Sequence, residues 1–198
     1  MWCNTIQSAH DAVKTLKRSA RVVLACEGES LGEETGRLSI ISVATHDAKS
    51  IFLFDVRGLD SAGIQPLVEF LSSDQVPKIM WDGRREAIEL RREFGTEIGR
   101  PWDLQLVDIT SRKLRGDANE RKDIKKQWHP LAAVAHMDLE GVHALTSINN
   151  VLKAHNIEPT SGEYCIAKSV SVALIRHDYF RHSTGNHKSH PLACTPAF

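Results

Sequence analysis

A glutamate closes the apolar run Arg21-Val22-Val23-Leu24-Ala25-Cys26. The run reads as a buried strand, which places the Glu27 carboxylate at the strand's C-terminal end. A carboxylate there is costly to desolvate unless a cationic group meets it. Two further acids, Asp82 and Glu86, are four residues apart, a spacing that puts both on one face of a helix. Asp82 also suits the N-cap of that helix. Asp103 and Asp108 read as capping or surface acids. Cys26 has no histidine at a recognisable catalytic spacing and reads as a small buried hydrophobe rather than a nucleophile. Residues 112–126 hold seven Lys and Arg against three acids. This is the strongest local basic excess in the chain, suited either to phosphates or to a solvated linker. Within it Arg121, Lys122, Lys125 and Lys126 are the candidate phosphate contacts. Trp128, beside them, either stacks on a base or anchors the linker. His177, His182, His187 and His190 follow no standard zinc spacing.

The elements that must position these residues show through the apolar periodicity. Ile6, Ala9, Val13 and Leu16 recur at helical spacing, with Ser8 as a cap. Residues 37–45 and 50–56 are β-branched, largely apolar runs on either side of a turn, His46-Asp47-Ala48-Lys49. With the Val22 strand they make three successive antiparallel strands. A helix starting near Ser61 follows, carrying Leu67, Phe70 and Leu71. Residues 77–81 read as a fourth strand and 84–94 as a helix ended by Gly95 in a C-cap role. Residues 104–109 read as a fifth strand or a helix start, and 145–155 as a helix. Alone, this order supports a mixed α/β class.

The 198 residues suit one domain with a tail, and 41% apolar with 25% charged residues is ordinary for a globular chain. Net charge is zero, so any electrostatic footprint for a polyanion has to be local. Cys3, Cys26, Cys165 and Cys194 are scattered, which argues against a disulfide framework and for a reducing compartment. The N-terminal residues carry no signal-peptide pattern and no apolar stretch is long enough for a bilayer. These features point to a cytoplasmic or nuclear protein without a membrane association.

Residues 21–157 resemble the DEDD-type 3′–5′ exonuclease domains of the RNase D and Werner exonuclease group. The likeness runs through Val22-Val23-Leu24-Ala25-Cys26-Glu27-Gly28, then Gly36-Arg37-Leu38-Ser39-Ile40-Ile41-Ser42-Val43-Ala44, then Ile51-Phe52-Leu53-Phe54-Asp55-Val56. It continues through Lys78-Ile79-Met80-Trp81-Asp82-Gly83-Arg84-Arg85-Glu86 with Leu90 and Phe94-Gly95, Pro101-Trp102-Asp103-Leu104-Gln105, and the helix at 145–157. The resemblance implies a ribonuclease H-like α/β fold, a mixed central sheet with helices on both faces. It implies residues 1–157 as the exonuclease-like domain. Residues 158–198 would be a divergent or truncated segment, poorly ordered from about 177.

It also implies a site. Relatives carry an Asp-x-Glu pair in the first motif, an Asp in the second, and a Tyr or His four residues before a last Asp. Together these hold two Mg²⁺ or Mn²⁺ ions for phosphodiester hydrolysis, with the ions about 3.5–4 Å apart. On this pattern Glu27 and Glu86 are the metal ligands, with Asp82 beside them, and Tyr164 is the water-orienting group. Ala25 and Lys168 stand where acids belong, and the Trp-x-x-Arg-Pro-Leu segment of relatives is missing. The implied partner is RNA or single-stranded DNA. The readings are an exonuclease with weak or lost hydrolysis, a non-catalytic nucleic-acid-binding or protein-interaction module on the same fold, homodimers included, and a product truncated before its last motif.

Overall fold

The computed structural model describes residues 1–116 and 145–156, and among them the chain divides after Trp102 into two compact units. The first opens with β1 (Trp2–Cys3) and α1 (Ile6–Leu16). Thr5 caps α1. Its hydroxyl accepts the Ser8 N–H at 3.2 Å, and the Ser8 hydroxyl accepts the Thr5 N–H at 3.1 Å. This reciprocal capping box makes Ser8 the third-position partner and Thr5 the cap, a correction to the expectation from sequence. Ala9, Ala12, Val13 and Leu16 form the buried stripe.

Three strands follow, β2 (Val22–Glu29), β3 (Arg37–Thr45) and β4 (Ile51–Asp55), each antiparallel to the next. Then come α2 (Ser61–Ser72), β5 (Lys78–Met80), α3 (Arg84–Phe94) and β6 (Pro101–Asp103). The sheet order is β1-β4-β3-β2-β5-β6, which puts β2 in its interior. β5 runs parallel to β2 and β1 parallel to β4, so the sheet is mixed. The short edge strand β1 was not anticipated. It is fixed by the Leu53 N–H, which donates to the Met1 carbonyl at 2.9 Å.

Side chains alternate across a strand, and directly opposed residues of antiparallel neighbours share a face. Val22, Leu24 and Cys26 therefore lie with Ile41, Val43, Phe52 and Phe54, and all belong to one apolar cluster with α1, α2 and Leu90 of α3. The other face carries Ala25 opposite Ser42, and Glu27 opposite Ile40. Ala25, Ile40, Ser42 and Ala44 are buried there, outside that cluster. After Glu27 the register slips by one residue, so that Gly28 opposes Leu38. A bulge at this point re-aims the end of the strand. A methyl on Gly28 would sit 2.0 Å from the Arg37 carbonyl oxygen, so only glycine tolerates the approach.

In the second unit, α4 (Leu104–Arg115) and α5 (Ile148–Ala154) are the described helices. The ambiguous stretch at 104–109 is thus helix, and the strand expected there ends one residue earlier. Asp103 caps α4 by accepting the Gln105 N–H at 2.9 Å. Gln105 is buried and donates to the Thr146 carbonyl at 3.2 Å, just before Ser147 caps α5. Asp108, expected at the surface, is instead buried and paired with Arg112 at 2.9 Å. Among the described residues no helix is long and apolar enough to cross a membrane.

Candidate functional site

β2 delivers Glu27 to the end of the sheet's interior, half-buried, on the same face as Ala25. The first turn of α3 delivers Glu86, also half-buried. The Cys26 thiol lies in the field of both. Burial pushes its pKa well up, and the charges of Glu86, Glu27 and Glu89 push it further. One buried sulfur thus feels three carboxylates, two of which are the acids expected at the site. The thiol stays protonated and is unsuited to nucleophilic work.

Glu89 is the acid that sequence reasoning missed. It is fully buried on α3, one turn beyond Glu86. Its Oε1 accepts the Gly32 N–H at 2.6 Å and the Arg92 Nη1 at 2.9 Å. A methyl on Gly36 would sit 2.6 Å from the same oxygen, and one on Gly32 would sit 3.0 Å from the Arg85 Cγ. The β2–β3 connection is therefore laid flat on Arg85 and Glu89 at two glycines. Glu89 anchors the connection and has its lone pairs committed there.

Asp82 departs from expectation. It has a left-handed φ of 56° and precedes α3, so it does not share a helical face with Glu86. Gly83 occupies the N-cap and there is no side-chain cap. The Asp82 carboxylate takes two bonds from Arg84, at 2.5 and 2.8 Å, and this pairing holds its pKa below the usual carboxylate range. The guanidinium competes with any cation for the same oxygens. Further along α3, Arg92 pairs with Glu89 and Arg91 with Glu97.

Among the described residues no three His, Cys, Asp or Glu side chains converge closely enough to hold a metal ion. Position 25 accounts for part of this, because its methyl supplies no donor beside Glu27. One donor nearby went unnoticed in the sequence. Ser42, opposite Ala25, is 1% exposed, and its hydroxyl has no hydrogen-bond partner. The other sequence candidates, Tyr164, Lys168, Arg121, Lys122, Lys125, Lys126 and Trp128, lie outside the described residues, as do the C-terminal histidines.

No family model matches the chain, and no curated protein matches it in sequence. Solved structures do match in fold. Trypanosoma brucei RNase D aligns with a TM-score of 0.53 at 20% identity, covering 86% of this chain and 60% of that one. Its complex with RNA U12 aligns at 0.52 and 20% identity, covering 93% and 57%. The Aedes aegypti Nibbler EXO domain aligns at 0.52 and 14% identity, covering 92% and 79%. The chain therefore spans less than two thirds of the length of these RNase D structures. At such identities the likeness is one of fold: the mixed six-stranded sheet and its helices form a ribonuclease H-like, exonuclease-type α/β fold.

Proposed function

We propose that the chain is a nucleic-acid-binding module on the 3′–5′ exonuclease fold, with phosphodiester hydrolysis weak or lost. The observation that carries this reading is Ala25. It stands inside the sheet beside Glu27, on the face and at the strand end where a ligand acid is needed, and offers a methyl group. Glu27 and Glu86 remain as hard oxygen donors at one end of β2. Two carboxylates suit one Mg²⁺ or Mn²⁺ ion, while a pair of ions brings four positive charges that two acids do not offset. A divalent ion at Glu27 and Glu86 would supply charge neutralisation for a phosphate. Glu86, one methylene longer than aspartate, holds its end of such a site more loosely, and misplacement on this scale costs about 10²-fold in rate.

RNA or single-stranded DNA is the proposed ligand. Trypanosoma brucei RNase D, which shares the fold, has been solved with RNA. Arg121, Lys122, Lys125 and Lys126 would meet the phosphates, and Tyr164 would stand near the site on the family pattern. A second reading, a protein-interaction module, is favoured by α4, which exposes Leu104, Leu106, Val107 and Leu114. Labelled RNA and DNA single strands, incubated with the chain and Mn²⁺ or Mg²⁺, test the first reading. Binding by anisotropy with little shortening on a gel is expected. Robust metal-dependent shortening that Glu27→Gln abolishes overturns the loss of hydrolysis. Absence of binding to either polymer removes the nucleic-acid reading and leaves the protein-interaction one.

A further inference from the structure

Ser42 is the buried polar side chain that the fold leaves unexplained. Its Oγ is the one buried side-chain oxygen or nitrogen without a hydrogen-bond partner among the described residues. A hydroxyl in that condition costs about 1–3 kcal/mol, so its retention inside an apolar strand calls for a reason. Alternation gives none, since Ile40 and Ala44 to either side fill the same face with carbon.

Its position supplies one. Ser42 is paired directly with Ala25, so their Cβ atoms share a face and lie about 4.5–5.5 Å apart. Glu27 is on that face two residues further along the strand. Ala25 is the smallest side chain that keeps the strand geometry, and it leaves open the volume that a longer residue at 25 would fill. A polar lining and room for one water are the two conditions for buried water. Mg²⁺ and Mn²⁺ accept water readily in place of a carboxylate.

We infer that the Ser42 hydroxyl belongs to the candidate divalent-ion site and holds a water at the position where Ala25 presents no carboxylate. Glu27 and Glu86 supply the charge, and Ser42 supplies orientation through that water. The inference rests on the proposed divalent site and adds to it a residue of no charge. Ser42 is a positioning residue, because it acts through the water and does not carry the ion's charge.

The test is Mn²⁺ binding by the full chain, read by calorimetry and by the Mn²⁺-induced rise in melting temperature. Wild type is compared with Ser42→Ala, Ser42→Thr and Glu27→Gln. Loss of a partner one step removed from a metal typically weakens its binding 10–100-fold. Ser42→Ala is therefore expected to weaken Mn²⁺ about tenfold or more and to shrink the thermal shift accordingly. Ser42→Thr, which keeps the hydroxyl, should restore most of the affinity. Without Mn²⁺, Ser42→Ala should melt close to wild type. If Glu27→Gln abolishes the Mn²⁺ response while Ser42→Ala leaves it unchanged, the Ser42 role is wrong and the divalent site stands. If wild type itself shows no Mn²⁺ response, both fall, and nucleic-acid binding is judged separately by anisotropy. An equal rise in melting temperature of Ser42→Ala with and without Mn²⁺ would show that the hydroxyl is only a dry, costly buried group.

Discussion

At position 25 a single methyl separates two chemistries. Aspartate there would share a face with Glu27 and lie opposite the Ser42 hydroxyl, which could donate to it. Without a divalent ion the new carboxylate is buried beside another acid, and like-charge repulsion raises its pKa and destabilises the fold. Ala25→Asp should therefore lower apo stability by about 1–3 kcal/mol and regain it in Mn²⁺. A melting temperature indifferent to millimolar Mn²⁺ would mean that the site is lost for reasons beyond this residue. Glu89 makes the opposite case, a buried acid with its partners in place. Glu89→Ala strands the Gly32 N–H and frees Arg92, and should cost about 1–3 kcal/mol in urea denaturation. Glu89→Gln keeps an acceptor for Gly32 and should cost less. Equal stability of all three proteins would show that the connection is not anchored through Glu89. The two acids also differ in legibility. Glu27 can be read from sequence because it ends an apolar run, and the burial of its strand follows from that run alone. Glu89 cannot, because Arg91 and Arg92 follow it and mark a solvated helix face. Its burial is decided by Gly32, far away along the chain. Ser42 is hidden for a related reason: a serine in a strand is unremarkable until its cross-strand partner is known.

Elements with their own punctuation were legible to the residue. α3 spans 84–94 as expected, because Gly95 adopts φ 64° and ends it. β2, β3 and β4 follow from their β-branched runs. β1 has two residues and no periodicity to show, and α4 was ambiguous because Leu104 and Leu106 alternate like a strand before the helical period establishes itself. Lys78 shows what an element-level reading hides. It sits in β5, an apparently ordinary basic residue, yet it is fully buried. Its ammonium donates to the Ser73 carbonyl at the C-terminus of α2 and lies 5.2 Å from the Phe70 ring centre. Burial lowers its pKa from 10.5 to about 8, with Asp74 opposing the shift. The native amine therefore loses its proton before the unfolded one does. Through this group stability rises with pH from about 8 to 10.5. The buried thiols act in the opposite sense. Cys3 is pushed up to about 11, and Cys26 is raised as well, so both lose stability once unfolded thiols ionise above 9.0. A difference measurement cancels them. The stability of wild type minus that of Lys78→Met should grow between pH 8 and 10. A difference that is flat or falling in denaturation at these pH values would contradict the buried amine.

For the molecule as a whole, zero net charge means that affinity for a polyanion cannot come from a general field and has to come from one place. The folded units narrow that place. On α3, Arg84, Arg91 and Arg92 are each paired with an acid, and Arg112, at the start of the basic run, is committed to Asp108. What the described structure leaves to the run is Lys113, which is exposed on α4. Arg121, Lys122, Lys125 and Lys126 lie outside the described residues and rest on the sequence alone. The class of fold was legible here because the strand and helix order survives many substitutions, while the location of a polyanion surface depends on which cations find acids, and that is decided by tertiary contacts. If the four residues at 121–126 meet phosphates, three or four contacts on a single strand give a log–log salt slope of about −2 to −3. Changing all four to glutamine should flatten that slope and weaken every sequence alike, since phosphate contacts carry no base information. Anisotropy of labelled RNA and DNA strands across a salt series measures both effects at once. Identical curves for wild type and the quadruple variant would show that the run is a solvated linker, and would return the search for a ligand to the face of Ala25, Glu27 and Ser42.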